Sequence, residues 1–258
     1  MAATGHPWTP ARTAQSLLLL KGGVTVTEDE REHETAKRLD AFVDAAFAFA
    51  VTLLVIAGAE GPPSLAALGA AMGRIPASLG AFVLIAMFWM AYRDFGRIAP
   101  RRDAWASLNG LAIVFVVLVY VFPLRMLLES GFVWISGGRL PGEVIIHTLG
   151  DLRMLFRIYG MGFVVLAGLF VTLFAHAARS PEKLGVNPAD AAMAASVAQI
   201  WIIVASGGLL SALLTFAPLQ FAPWLPGIAY WAIPLGIGAR SLILSRAARA
   251  RARAAKTD

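Results

Sequence analysis

Six apolar runs dominate this chain, at about 40–59, 76–95, 105–125, 155–178, 192–216 and 224–243. Each approaches the roughly 20 residues that carry a helix across the hydrocarbon core of a bilayer. In lipid the backbone N–H and C=O groups have no water to bond, so an apolar run of this length is constrained to be helical. Breakers divide the runs: "EGPPS" after the first, "RIAPRRD" after the second, "RSPEKLGVNPAD" after the fourth and "APLQFAP" after the fifth. The composition fits, with 58% hydrophobic and only 15% charged residues and a mean hydropathy of +0.69. A soluble domain carries about a quarter charged residues. The expected fold class is an all-α integral membrane protein, a six-transmembrane-helix bundle. The stretch 126–154, with "GFVWISGGRLPGEVIIHTLGD", looks too interrupted to span and is expected to be a loop with an interfacial piece carrying Trp134.

Basic residues set the expected orientation. With the N-terminus inside, 17 of the 22 Lys and Arg residues fall in inside segments. The five others are Arg74, Arg125, Arg139, Arg153 and Arg157. The positive-inside rule therefore places both termini in the cytoplasm. Residues 1–36 lack a long apolar run, and "SLLLL" at 16–20 is too short for a signal sequence. They are read as a disordered cytoplasmic tail, 37–243 as the six-helix transmembrane domain, and 244–258 as a basic cytoplasmic tail. That last segment, "SRAARARARAAKTD", reads as an anchor against anionic lipid. A net charge of +6 in so apolar a chain points to membrane flanks rather than nucleic acid. The absence of cysteine excludes disulfides and thiolate metal sites.

The ionisable residue that most demands an account is Asp44, one turn inside the first run after Arg38 and Asp40. At 100° per residue, Phe42, Phe49, Leu53 and Ile56 form one narrow bulky stripe, and Asp44 lies about 140° from Phe49. Ala41, Ala45, Ala48 and Thr52 flank the stripe with small side chains that permit close helix approach. A carboxylate avoids lipid, so Asp44 is expected to turn into the bundle toward Trp89, Tyr92 and Asn109. The competing reading leaves Asp44 hydrated in the headgroup zone, close to Arg38.

These residues carry a resemblance. "RLDAFVDAAFAFAVTLLVI" is similar to the R-x-x-x-F-S-D first helix of the transmembrane protein 175 family, with Arg38, Phe42 and Asp44 on the motif. "SLGAFVLIAMFWMAYRDF" resembles that family's second helix through Ser78, Phe82 and Trp89, and "DAWASLNGLAIVFVVLVYVFPL" its third through Asp103, Asn109 and Pro123. The resemblance implies a potassium-permeable channel, four chains around one pore, with the first helix of each lining it. Its constrictions then fall on Phe49, Leu53 and Ile56, the stripe that the helical wheel gives, with potassium as permeant ion and no cofactor. Arg38, Phe42, Asp44, Trp89, Tyr92 and Asn109 would form the polar network that orients the pore helix. The chain departs from the family pattern at Val43, where serine is usual, at Tyr92, where histidine is usual, and at Phe49, commonly isoleucine or leucine.

Other classes fit less well. A proton-coupled transporter is expected to place carboxylates near mid-membrane and to show repeats; spans four to six carry no deep acidic residue and the halves no convincing repeat. A membrane enzyme needs a clustered constellation, whereas His6, His33, His147 and His176 are dispersed. No enzyme activity and no metal site are expected. A non-conducting relative of the same fold, or a proton-coupled one, is the alternative. Arg125, Glu129, Asp151, Arg153 and Arg157 are expected to make ion pairs at the outer surface, and Gly69, Gly73, Gly160, Gly162 and Gly168 to permit packing or flexible ends. Pro123 and Pro234 are candidate helix kinks and "GPP" at 61–63 a turn. The expected location is a bacterial-type inner membrane, multi-pass, in contact with lipid.

Overall fold

The computed structural model describes residues 28–56, 64–142 and 146–254. The tail up to residue 27, with His6, the turn at 61–63 and residues 255–258 lie outside the described residues. Every long element is helical, and no strand occurs among the described residues. In order they are α1 (Glu28–Ile56), α2 (Leu65–Gly73), α3 (Ile75–Ile98), α4 (Ala104–Ile135), α5 (Leu149–Arg179), α6 (Pro181–Leu184), α7 (Pro188–Leu214) and α8 (Leu225–Ile228). A short 3-10 turn, Ala229–Trp231, then leads into α9 (Ala232–Ala254). Among the described residues, six segments are long and apolar enough to cross a membrane: Arg31–Ile56, Ile75–Ile98, Ala104–Ile135, Leu149–Arg179, Pro188–Leu214 and Leu225–Arg246.

The helix starts follow local chemistry. Asp103 caps α4 by accepting the Ala106 N–H at 2.8 Å, and Asn187 caps α7 by accepting the Asp190 N–H at 2.9 Å. Thr148 and Asp151 form a reciprocal capping box at the head of α5. Pro76 and Pro188 sit in the first turns of α3 and α7, where a missing N–H costs nothing.

Two boundaries differ from the sequence expectation. First, α1 begins at Glu28, so residues 28–36 are helical. An i,i+4 pair of Glu34 with Arg38 at 3.0 Å lies on that exposed extension. Second, residues 126–135 are not loop but the continuation of α4, which carries Pro123 in its interior. Glu129, inside this continuation, is buried and accepts from Arg125 Nε at 2.8 Å one turn back. Pairing within the same helix removes the reason to leave it. Gly137 and Gly138, with φ of 63° and 78°, end α4, and the Gly138 N–H returns to the Val133 carbonyl.

Two groups of helices share one core. On one side α1 packs against α3 and α4; on the other α5 packs along α7 and against α4. A stack of rings joins them: Phe88 lies over Phe170 at 6.0 Å and Phe170 over Trp201 at 4.4 Å. Phe95 meets Phe174 edge-on at 5.7 Å. α5 and α7 approach closely at Gly160, where an added Cβ would stand 3.0 Å from the Gly208 carbonyl oxygen. Gly162 faces the Tyr120 ring at similarly short range, whereas Gly168 and Gly69 face open space.

At the end of the bundle that holds Glu129, the expected set of ion pairs is reduced to Arg125–Glu129 among the described residues. Arg157 donates instead to Thr215 Oγ1 at 2.9 Å and covers the Phe216 ring, and Arg153 reaches the Ala217 carbonyl. Asp151 is consumed by its own helix start. Arg153 and Arg157 thus turn to backbone and hydroxyl acceptors near the helix ends rather than to carboxylates, and Arg153 Nε and Arg125 Nη1 are left without partners among the described residues.

Gly160→Val should lower stability by about 1–3 kcal/mol, the usual cost of overpacking, read as a lower thermal midpoint in detergent. Gly168→Ala, with nothing within 4 Å of the added carbon, should leave the midpoint unchanged or slightly raised.

Candidate functional site

The first helix meets the bundle through a face of alternating demands. Val43, Phe47, Ala50 and Leu54 are buried and form its contribution to the core. Val43 is fully enclosed, so the residue that replaces the usual serine occupies an apolar position where its methyl groups pack. Phe49 is 55% exposed in the single chain, and Phe42 and Ile56 are similarly open. Leu53 differs from them: it is half-buried at the flank of the stripe, against the core. Ala41, Ala45, Ala48 and Thr52 are also exposed. α1 thus has one face held by its own chain and one left without a partner in that chain.

Asp44 sits at the border of these faces and accepts from Trp89 Nε1 at 2.7 Å. The Arg93 guanidinium lies 4.9 Å from the centroid of the same indole ring. A cation over the ring face and a carboxylate at its N–H edge satisfy both polarities of the indole. The other expected partners do not join. Asn109 is buried but donates to Thr172 Oγ1 at 2.7 Å, tying α4 to α5. Tyr92 is buried against Gly110, where an added Cβ would stand 2.9 Å from its hydroxyl oxygen. Arg38 turns outward to Glu34 and makes no contact with Asp44. The single expected cluster is therefore replaced by separate ties between neighbouring helices.

A stronger tie lies one turn earlier and was not singled out from the sequence. The Arg102 side chain, only 1% exposed, donates from Nη2 to both oxygens of Asp40, at 3.0 and 3.1 Å. Its Nη1 reaches the carbonyls of Ala99 and Arg101, and its guanidinium lies 4.8 Å from the Phe95 ring centroid. The residues on either side act alike. Arg101 approaches Glu32 of α1 at 3.8 Å, and Asp103 accepts or shares a proton with His176 Nε2 of α5 at 2.7 Å. Three consecutive residues of the α3–α4 loop thus grip α1 twice and α5 once. Two sequence signals pointed here: Asp40 and Asp44 share a helix face four residues apart, and Asp103 stands where an N-cap belongs. His176, read as one of four dispersed histidines, is a partner of that loop.

Burial alone would raise the Asp103 carboxyl, but the Ala106 N–H and His176 outweigh it, and the group ionises below its ordinary range. A depressed folded-state value means that the charge stabilises the fold above the unfolded value, and that this contribution is lost as pH falls through the folded one. Asp103→Asn keeps an acceptor for the cap and removes the charge facing His176. Its thermal midpoint should fall below that of the native protein at neutral pH, and the difference should close as pH drops beneath the ordinary carboxylate range. Asp103→Ala also loses the cap, a further loss of about 1 kcal/mol. Trp89→Phe keeps the ring and removes the N–H; the expected cost is about 1 kcal/mol, and Asp44→Asn should lower the additional effect of that change.

No group of three or more metal-ligating side chains occurs among the described residues. Comparison with known proteins supplies the context for this geometry. The model of the family described as the endosomal/lysosomal potassium channel TMEM175 matches residues 38–123. A potassium channel of Marivirga tractuosa is 27% identical over 194 residues, covering 72% of this chain and 76% of that protein. The crystal structure of a variant of the potassium channel MtTMEM175, in complex with a nanobody–MBP fusion protein, superposes with a TM-score of 0.70 at 24% identity. That match covers 81% of this chain and 93% of the other. The chain is a multi-pass membrane protein, and the proteins it resembles are channels rather than enzymes. Residues 38–123, which hold most of α1, all of α2 and α3 and the capped start of α4, match the TMEM175 family model, and the chain is similar in fold to a TMEM175 channel.

Proposed function

We propose that the protein is a potassium-permeable cation channel, a homotetramer in which α1 of each chain lines a shared pore. The observation that carries this reading is the division of α1: one face is occupied by core residues, Asp40–Arg102 and Asp44–Trp89, while Phe49 and Ile56 point away from the chain that holds them. The matched family model and the relative named as a potassium channel lend the ion and the class.

In a four-chain arrangement Phe49 and Ile56 would constrict the pore, with Leu53 contributing from the flank. A ring of apolar side chains at one level excludes water when narrow and so gates by dewetting. Four phenyl rings at the level of Phe49 would also offer their faces to a passing cation. Asp44 then serves as a brace behind the pore helix, not as an ion ligand within the pore. Potassium is a permeant species, not a resident cofactor. The arginines of the α3–α4 loop and the basic end of α9 favour a cytoplasmic placement for that side of the bundle, and with it both termini, in a bacterial-type inner membrane.

Phe49→Ala and Leu53→Ala, reconstituted in liposomes, should change potassium flux on the order of tenfold, equivalent to about 1.4 kcal/mol in the barrier. Potassium-over-sodium preference should fall most in the Phe49 variant. Unaltered flux and preference in both would overturn the pore assignment. Silent planar-bilayer recordings from intact tetramers would support the non-conducting alternative.

A further inference from the structure

We propose that Arg102, a residue of the α3–α4 loop far in sequence from the pore stripe, is a positioning residue that sets the rotation of α1 and thereby which side chains face the pore. This rests on the pore-lining reading of α1. The argument is one of leverage. Asp40 precedes Phe49 by nine residues, which places it half a helical turn away in azimuth, directly behind Phe49. Asp44 stands on nearly the same rear face, one turn further along. A single rear contact leaves a helix free to roll about it; two on one face, a turn apart, define its azimuth. Asp44–Trp89 is a single hydrogen bond at an exposed edge, whereas Asp40–Arg102 is an ionic contact to both carboxylate oxygens from a buried guanidinium, with Asp40 itself part-exposed. The latter supplies the stiffer constraint.

The other end of that contact is equally fixed. Arg102 holds the carbonyls of its own loop, lies on Phe95, and occupies a space left by Gly96, where an added Cβ would stand 3.2 Å from Nη2 and 3.6 Å from Asp40 Oδ2. The loop itself is clipped to the α6 turn by the Arg101 N–H on the Leu184 carbonyl, and to α5 by Asp103 on His176. α1 is thereby referenced to α5 and α6, not only to its immediate neighbours. The planar fork of arginine makes this geometry, with Nη2 on Asp40 and Nη1 on the loop carbonyls; a lysine ammonium presents a single point charge and cannot hold the carboxylate and both carbonyls in the same way.

The chain contains no cysteine, so rotation can be read directly by introducing one thiol at a time. Ala48→Cys, Phe49→Cys, Ala50→Cys and Leu53→Cys would each be reconstituted with native Arg102, with Arg102→Met and with Arg102→Lys, and exposed to a water-soluble methanethiosulfonate during potassium flux. With native Arg102, Phe49→Cys and Leu53→Cys should be modified with block of flux, and Ala50→Cys protected. With Arg102→Met, the ratio of modification at Phe49→Cys to that at Ala50→Cys should fall roughly five- to tenfold, with Arg102→Lys intermediate. Should Arg102→Met fail to assemble, Asp40→Asn, which keeps the side-chain shape, should produce the same shift. An unchanged modification pattern in the assembled variants overturns the positioning role. Absence of modification at both Phe49→Cys and Leu53→Cys with native Arg102 instead overturns the pore reading itself, so the two failures are distinct.

Discussion

The buried guanidinium of Arg102 is the contact on which the arrangement of the first helix depends. A charge removed from water needs an opposite charge and full hydrogen bonding, or its burial costs several kcal/mol. Arg102 finds the opposite charge in Asp40 and places Nη1 on two loop carbonyls, while its buried Nε is left without a partner among the described residues. That requirement ties α1 to the loop at Asp40 and leaves the loop little freedom. The aromatic stack of Phe88, Phe170 and Trp201 then fills the space between α3, α5 and α7. Packing supplies the bulk of the cohesion; the ion pair decides the register.

This division of labour explains why a carboxylate can stand one turn inside a membrane helix. Asp44 is not isolated in lipid but lies at the seam between the face of α1 that its own chain covers and the face that it does not. Its indole partner is stiff, ring-flanked by Arg93, and placed by a helix that also carries Phe88 into the core. Val43, next to Asp44, is wholly enclosed, so the local chemistry changes from apolar to polar across a single residue, as the 100° step of a helix allows.

Much of this was legible beforehand, and for physical reasons. Lipid forbids unsatisfied backbone, so apolar length alone identifies helices, and Asp44–Trp89 followed from the need of each group for a partner at similar depth. What escaped were contacts between loops and helix ends. Arg102–Asp40 joins residues 62 positions apart, and the helical spacing of Asp40 and Asp44 marks one side of the pair without naming its partner. Asn109 had several acceptors within its reach, and the one it uses, Thr172, lies on a helix whose rotation only tertiary packing decides. The extension of α4 beyond residue 125 escaped because the stretch 126–154, with its glycines and proline, looks too interrupted to span, whereas the pairing of Glu129 with Arg125 lets the helix run on to Ile135, short of Gly137 and Gly138.

That extension has a consequence for the shape of the protein in its bilayer. α4 has 32 residues and is therefore about 48 Å long, against a hydrocarbon core of about 30 Å. Tilts near 20° absorb only a few ångströms of such an excess. The final turns of α4 must then stand proud of the lipid. Arg125 lies about 32 Å along the helix from its start, so the Arg125–Glu129 pair falls where hydrocarbon gives way to headgroups. Trp134, largely uncovered, lies further along the same extension. A bundle of plain helices is thus lengthened at one end by letting one helix run past its own boundary.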